Sequence, residues 1–137
     1  HKLGTDTSED VLIFHEEDET FDVSVYKSKS LEYIFIASSS TISDEHWFIP
    51  SNNVFAEWKV IQKREDDLEY AVEHYQNDFY IITNEGDATN FKIVKAKVDN
   101  PGMENWIVII PHRKETLLEG FEIFKTFELS LEHQLQW

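Results

Sequence analysis

The 137-residue chain contains no cysteine, which excludes a disulfide framework, a thiol nucleophile and any zinc site built on thiolates. Glycine occurs only at Gly4, Gly86, Gly102 and Gly120. The nucleophile elbow of a serine hydrolase needs G-x-S-x-G on a strand-to-helix turn, and no such spacing exists here. No N-X-Ser/Thr sequon is present, and no apolar run approaches the roughly 20 residues that span a bilayer. The opening "HKLGTDTSED" lacks the pattern of a signal peptide, so the simplest expectation is a soluble, cytoplasmic protein. It begins with His in place of Met, which reads as a trimmed product or a piece of something longer.

Basic residues are also scarce. Twelve Lys and Arg face 27 Asp and Glu, for a formal net charge of −15. Such a surface repels a phosphate backbone, so nucleic acid is not an expected partner. It favours basic partners, although a charged, soluble exterior accounts for the same composition without one. What is abundant is aromatic and β-branched sequence: 41% of residues are hydrophobic and 14% aromatic, too apolar for a disordered chain.

Those residues alternate with period two. Phe21–Ser28, Glu32–Ser39, His46–Pro50, Glu57–Gln62, Tyr70–Tyr75, Asp78–Asn84, Asn90–Val98 and Asn105–Pro111 all read as strands, as does the tail Phe121–Gln134. Turn signals such as "QND", "NEGDATN" and "DNPGMEN" separate them. No window shows the i, i+3, i+4, i+7 pattern of an amphipathic helix, so the predicted class is all-β.

The strands recur in sets of four. Tyr33–Ile36 aligns with Phe79–Ile82 46 residues on, Trp58–Ile61 with Trp106–Ile109 at 48, Trp47 and Ile49 with Phe91 and Ile93 at 44, and Phe79 with Phe127 at 48. The charged junctions "LIFHEEDETFDVSV", "VIQKREDDLEYAV" and "VIIPHRKETLLEGFEI" follow the same rhythm through Glu17, Glu65 and Glu115. Four antiparallel strands per 40–50 residues is the signature of a β-propeller blade. The junctions then become crossovers from one blade to the next. The predicted chain holds a last strand at Val11–Phe14, full blades at about residues 21–62 and 70–110, and a partial blade from 119 made of the first two strands of a fourth. Two and a half blades cannot close a ring, so apolar faces and strand edges stay open to self-association. A fragment of a larger propeller and a small β-sandwich built from the same strands both satisfy the pattern.

The start "HKLGT", the segment "EDVLIFHEEDETFDVSVYKSKS", the strand and turn "YIFIASSSTISDE", and the stretches "EYAVEHYQNDFYIITNEGDATNFKIVKAKVD" and "WIVIIPHRKETLLEGFEIF" resemble the amino-terminal propeller of the prolyl oligopeptidase family, nearest its oligopeptidase B branch. The resemblance runs over essentially the whole chain. It implies a seven-bladed propeller capping a separate α/β-hydrolase domain. The whole enzyme would be a serine peptidase that cuts short peptides, after Arg or Lys in the oligopeptidase B branch. The family's Ser, Asp and His triad has no counterpart in these residues, so this chain alone is expected to be inactive.

No residue earns a catalytic, cofactor-binding or metal-binding assignment. His1, His15, His46, His74, His112 and His133 form no paired ligand motif, and equivalent positions in different blades point apart. The carboxylates of "HEEDE" (His15–Glu19) and "REDD" (Arg64–Asp67) resemble an acid–base pair or a calcium loop. Their recurrence at each junction favours turn chemistry, with Lys63, Arg64, Arg113 and Lys114 as ion-pair partners. Trp58 and Trp106 repeat at one blade position, which favours packing between blades over a stacking platform with Trp47; Trp137 ends the chain. Ser38–Thr41 supplies hydroxyls without a base or oxyanion donors and reads as a strand end. The expected role is a non-catalytic propeller segment that limits access of short Arg- or Lys-containing peptides to a catalytic domain outside these residues. A freestanding β-repeat interaction module is the alternative, and a sugar-binding β domain a third.

Overall fold

An alternating strand hides one side chain in two, and it is stable only when both its edges and its apolar face find partners. The computed structural model describes residues 1–121 in full and residues 122, 123 and 129–135 as strand backbone. Strands β1 (Asp22–Lys27), β2 (Tyr33–Ser39), β3 (Asp44–Pro50) and β4 (Lys59–Gln62) form one sheet in the order β1-β2-β3-β4. Strands β5 (Tyr70–Tyr75), β6 (Asp78–Thr83), β7 (Lys92–Lys97) and β8 (Ile107–Ile110) form a second in the order β5-β6-β7-β8. All pairings are antiparallel between sequence neighbours, the meander of a propeller blade. Strands β9 (Thr116–Ile123) and β10 (Leu129–Leu135) pair as a third, two-stranded unit.

The register makes the repeat exact along three strands. Phe35 on β2 faces Phe48 on β3, and 46 residues later Ile81 on β6 faces Val94 on β7. Tyr26 faces Phe35 as Val72 faces Ile81. The last strand shifts to 48, because Trp58 and Trp106 each stand just before the outer strand of their blade. Both outer pairings contain a bulge, at His46/Trp47 and at Ile93/Val94. A bulge adds twist and bends the strand, as a blade requires.

Three expectations need correction. The third strands are related by 46 residues, not 44. Phe91 lies before β7 with a left-handed φ of 67°, so the equivalent of Trp47 is Ile93. Val11–Phe14 pairs with no strand among the described residues and is not a strand there, and Val11 and Leu12 are 77% and 78% exposed. The partial blade has the two strands expected, but the first begins at Thr116 and not at about 119. The alignment partner Phe127 lies outside the described residues.

The main core sits between the two blades. Phe35, Phe48 and Ile61 from the first meet Tyr70, Val72, Phe79, Ile81 and Val94 from the second, with Leu68 of the crossover closing one end. Phe79 is completely buried, its ring 4.8 Å from Phe48, 5.6 Å from Tyr33 and 5.7 Å from Phe35, all at edge-to-face angles. The opposite face of the second blade buries Ile82 and Ile93 against Leu118 of β9. Truncating Phe79 to Ala should therefore lower unfolding free energy by about 3–5 kcal/mol. The exposed Val25, changed to Thr, should cost no more than about 0.5 kcal/mol. Urea unfolding followed by tryptophan fluorescence measures both; equal losses would contradict an inter-blade core.

Candidate functional site: the charged joints between blades

The segment before β1 reaches back across the outer face of the first blade. Phe14 packs against Trp47 with ring centroids 6.4 Å apart. Two residues on, the Glu16 carboxylate accepts from Ser38 Oγ at 2.6 Å and from the Arg64 guanidinium. Arg64 lies on the next crossover, 48 residues downstream. Its Nε stands 3.9 Å from Glu45, its backbone N–H donates to Glu45 Oε2 at 2.9 Å, and its Cζ lies 3.9 Å over the Phe21 ring. Glu45 is shared, since Oε1 also accepts from Trp47 Nε1 at 2.8 Å. One guanidinium thus pins the strand-entry segment, β2, β3 and the crossover together.

The electrostatics agree with a structural cluster. The hydrogen bond from Arg64 is the main reason that the Glu16 carboxyl is lowered to about 2, against the opposing cost of removing it from water; Ser38 and the Asp18 N–H assist. The Arg64 guanidinium is raised by the same bond. A general acid needs a carboxyl held near the working pH, and Glu16 is driven the other way. The rest of "HEEDE" makes turns, with Asp18 Oδ1 accepting from Thr20 N–H at 2.9 Å and Thr20 Oγ1 at 2.7 Å.

The second joint is built from β3. Tyr70 N–H donates to Asp44 Oδ2 at 2.9 Å, and Asp44 N–H donates to Leu68 O at 3.0 Å. The buried Tyr70 hydroxyl donates to Gln62 O at 2.5 Å and accepts from His46 N–H at 2.8 Å, so one oxygen joins β3, β4 and β5. Ser43 Oγ donates to Glu65 O at 3.0 Å. The third joint repeats this plan with other atoms. Asn90 Nδ2 donates to Arg113 O and Lys114 O at 3.0 and 2.8 Å, and Leu118 N–H donates to Asn90 O at 2.9 Å.

Elsewhere the sequence-derived candidates scatter. Ser38 is fully buried against Glu16, while Ser40 Oγ accepts from Ser43 N–H at 3.0 Å within a turn. Trp106 packs on the inter-blade core and donates to Pro101 O at 2.8 Å; Trp47 lies on the opposite face of its blade. Trp137 lies outside the described residues. His1 meets Asp10 at 2.8 Å on the surface, His15 is exposed, and His133 is described only as backbone of β10. Among the described residues no group of three or more His, Asp or Glu could hold a metal, and no helix is long and apolar enough to cross a membrane.

Sequence reasoning missed the Ser30–His74 contact. Ser30 Oγ lies 2.7 Å from His74 Nδ1, and His74 Nε2 lies 2.6 Å from Gln76 O. A carbonyl only accepts, so Nε2 carries a proton and donates to Gln76 O. The pairing resembles a hydrolytic dyad, yet the His74 side chain is 0% exposed and no peptide could reach it. It fastens the β1–β2 turn of one blade to β5 of the next.

A site made of joints, with an open ring, points to a fold relationship more than to a reaction. Residues 1–134 match the family model described as "Prolyl oligopeptidase, N-terminal beta-propeller domain". The chain belongs to the prolyl oligopeptidase family. Among curated relatives, a dipeptidyl aminopeptidase BI of Pseudoxanthomonas mexicana is 38% identical over 96% of this chain, and Protease 2 of Moraxella lacunata is 32% identical over 91%. Oligopeptidase B from Trypanosoma brucei, solved in a closed form with covalently bound antipain, superposes with a TM-score of 0.90 and 26% identity over 98% of this chain. The chain spans 18% of the length of either curated relative and 19% of the trypanosomal structure. The two sheets are therefore blades of a prolyl oligopeptidase propeller, not a sandwich.

Loss of the Glu16 carboxylate tests the first joint. Its folded pKa lies below the unfolded one, so its contribution to stability is complete above about pH 4.5 and disappears as the pH falls toward 2. Glu16→Gln should cost about 1–3 kcal/mol at pH 7, and the deficit should shrink as the pH is lowered through that window. Denaturant midpoints at pH 7, 4 and 2.5 check it; a deficit constant with pH would place the stabilisation elsewhere.

Proposed function

We propose that this chain is part of a propeller cap that limits access of short, flexible peptides to a serine-peptidase domain carried outside these residues. The observation that carries the reading is the family match over residues 1–134, made by a chain that spans under a fifth of relatives named as peptidases. The chain has no G-x-S-x-G, and the one serine–histidine pair described is sealed inside a blade joint. Chemistry is thus assigned to the α/β-hydrolase part of a longer protein, and these residues contribute the filter. No observation favours a freestanding interaction module.

The proposed substrates are short peptides carrying Arg or Lys. A formal charge of −15 raises the local concentration of cationic peptides and speeds their encounter. A cytoplasmic site of action is part of the same reading. So is self-association of the isolated chain, because β1 offers an unpaired edge and exposes Val23 and Val25.

The 137 residues alone should not hydrolyse an Arg-containing peptide amide, whereas the longer protein should. In the longer protein, kcat/KM for basic peptides should fall as ionic strength rises and screening shortens the reach of the acidic surface. Turnover by the isolated chain would refute the division of labour. Indifference to both salt and substrate length would refute the filter. Light scattering that shows a monomer at all concentrations would refute the open-edge association.

A further inference from the structure

A cavity of about 470 Å³ opens where the two blades meet the start of β9, in the size range of small-molecule sites. Its polar wall holds three carboxylates, Asp44, Glu69 and Glu119, together with His46, and no Lys or Arg lines it. Its apolar wall is Ile82, Phe91, Leu117 and Leu118. Asp44 and His46 stand two residues apart on β3 and so share the face turned toward the second blade. The residue His46 is 4% exposed, yet its Nδ1 has no hydrogen-bond partner among the described residues. Buried polar atoms are nearly always satisfied, and one that is not marks a place for a group from elsewhere.

The carboxylates are likewise under-used. Asp44 accepts from Tyr70 N–H, and Glu69 accepts from Asn84 Nδ2 at 3.2 Å; each ionised carboxylate has room for more donors. Burial raises the Asp44 carboxyl against the bonds from Ser39 and Tyr70. Burial also raises Glu69, and the charges of Asp44 and Asp67 add to it. A cation between them would relieve both costs. The same burial lowers His46 to about 4, so the ring is neutral at pH 7 and keeps a nitrogen lone pair that can accept a proton donor.

We propose that this inter-blade cavity is a binding site for one guanidinium or alkylammonium group of a peptide, its charged head set among Asp44, Glu69, Glu119 and His46 and its methylene stem on Phe91, Leu117 and Leu118. A charged head on an apolar stem is the shape of an Arg or Lys side chain, and the two walls divide in the same way. A planar guanidinium satisfies several acceptors at once, so arginine should bind better than lysine. The site lies in the propeller residues and needs no turnover, so it stands or falls separately from the proposed filter.

The test uses the intact protein that carries this chain, with ring-labelled histidine and the His46 signal assigned by its loss in His46→Gln. N-acetyl-arginine amide should shift that signal saturably, while the neutral isostere N-acetyl-citrulline amide should not. Glu69→Gln combined with Glu119→Gln, two changes away from His46, should weaken binding roughly tenfold or more, the equivalent of about 1.4 kcal/mol. Circular dichroism of that variant verifies that it is folded. Affinity should also fall as the pH is lowered below 7, because burial raises the carboxyls of Asp44 and Glu69 and their protonation removes the charge that holds the cation. Equal shifts with both amides, no saturable shift with the arginine amide, or unchanged affinity in the folded variant would each overturn the proposal.

Discussion

Every feature of this structure depends on the fact that a blade is apolar on two faces and cannot bury both by itself. The second blade shows the consequence. It turns Val72, Phe79, Ile81 and Val94 toward the first blade and Ile82 and Ile93 toward β9, so it is folded in the sense of being covered. Among the described residues the first blade meets one other blade, and Phe14 and the Glu16 cluster lie on its other face. Stability in such an array comes from interfaces between repeats as much as from the repeats themselves.

The joints convert that packing into a fixed geometry. Apolar contact is non-directional and would let blades slide or rotate. The Tyr70 hydroxyl and the Ser30–His74 bond are directional, and each crosses from one blade to the next at an angle the backbone sets. The same work is done at successive joints by unlike chemistry, with Asp44 receiving a backbone N–H at one and Asn90 donating to carbonyls at the next. What repeats is the demand of exposed backbone groups at each crossover for a partner, and either a carboxylate or an amide can meet it.

The carboxylates sort by this criterion. Glu16 has its charge answered by Arg64 and belongs to the architecture. Asp44 and Glu69 have a partly answered charge on the wall of an open cavity, beside an unanswered imidazole nitrogen. The first arrangement is complete without a ligand, and the second is not.

The sequence by itself determined the class, the blade content and the family. Period-two alternation fixes which side chains are hidden, and its recurrence at 46–48 residues fixes where a blade ends. Both are local properties that survive without knowledge of the neighbours. It also placed the charged stretches at crossovers and named Arg64 among their ion-pair partners, without saying which carboxylate it meets. Only the tertiary structure brought Glu16 to Arg64, 48 residues away across the first blade, and Ser30 to His74 across the joint, because those contacts depend on how the strands and blades pack. Packing also brings Asp44, Glu69 and Glu119 around one cavity, and a left-handed turn sets Phe91 ahead of β7. A pattern of alternation says which face of a strand is buried; which face of which neighbour buries it is settled only when the blades are packed.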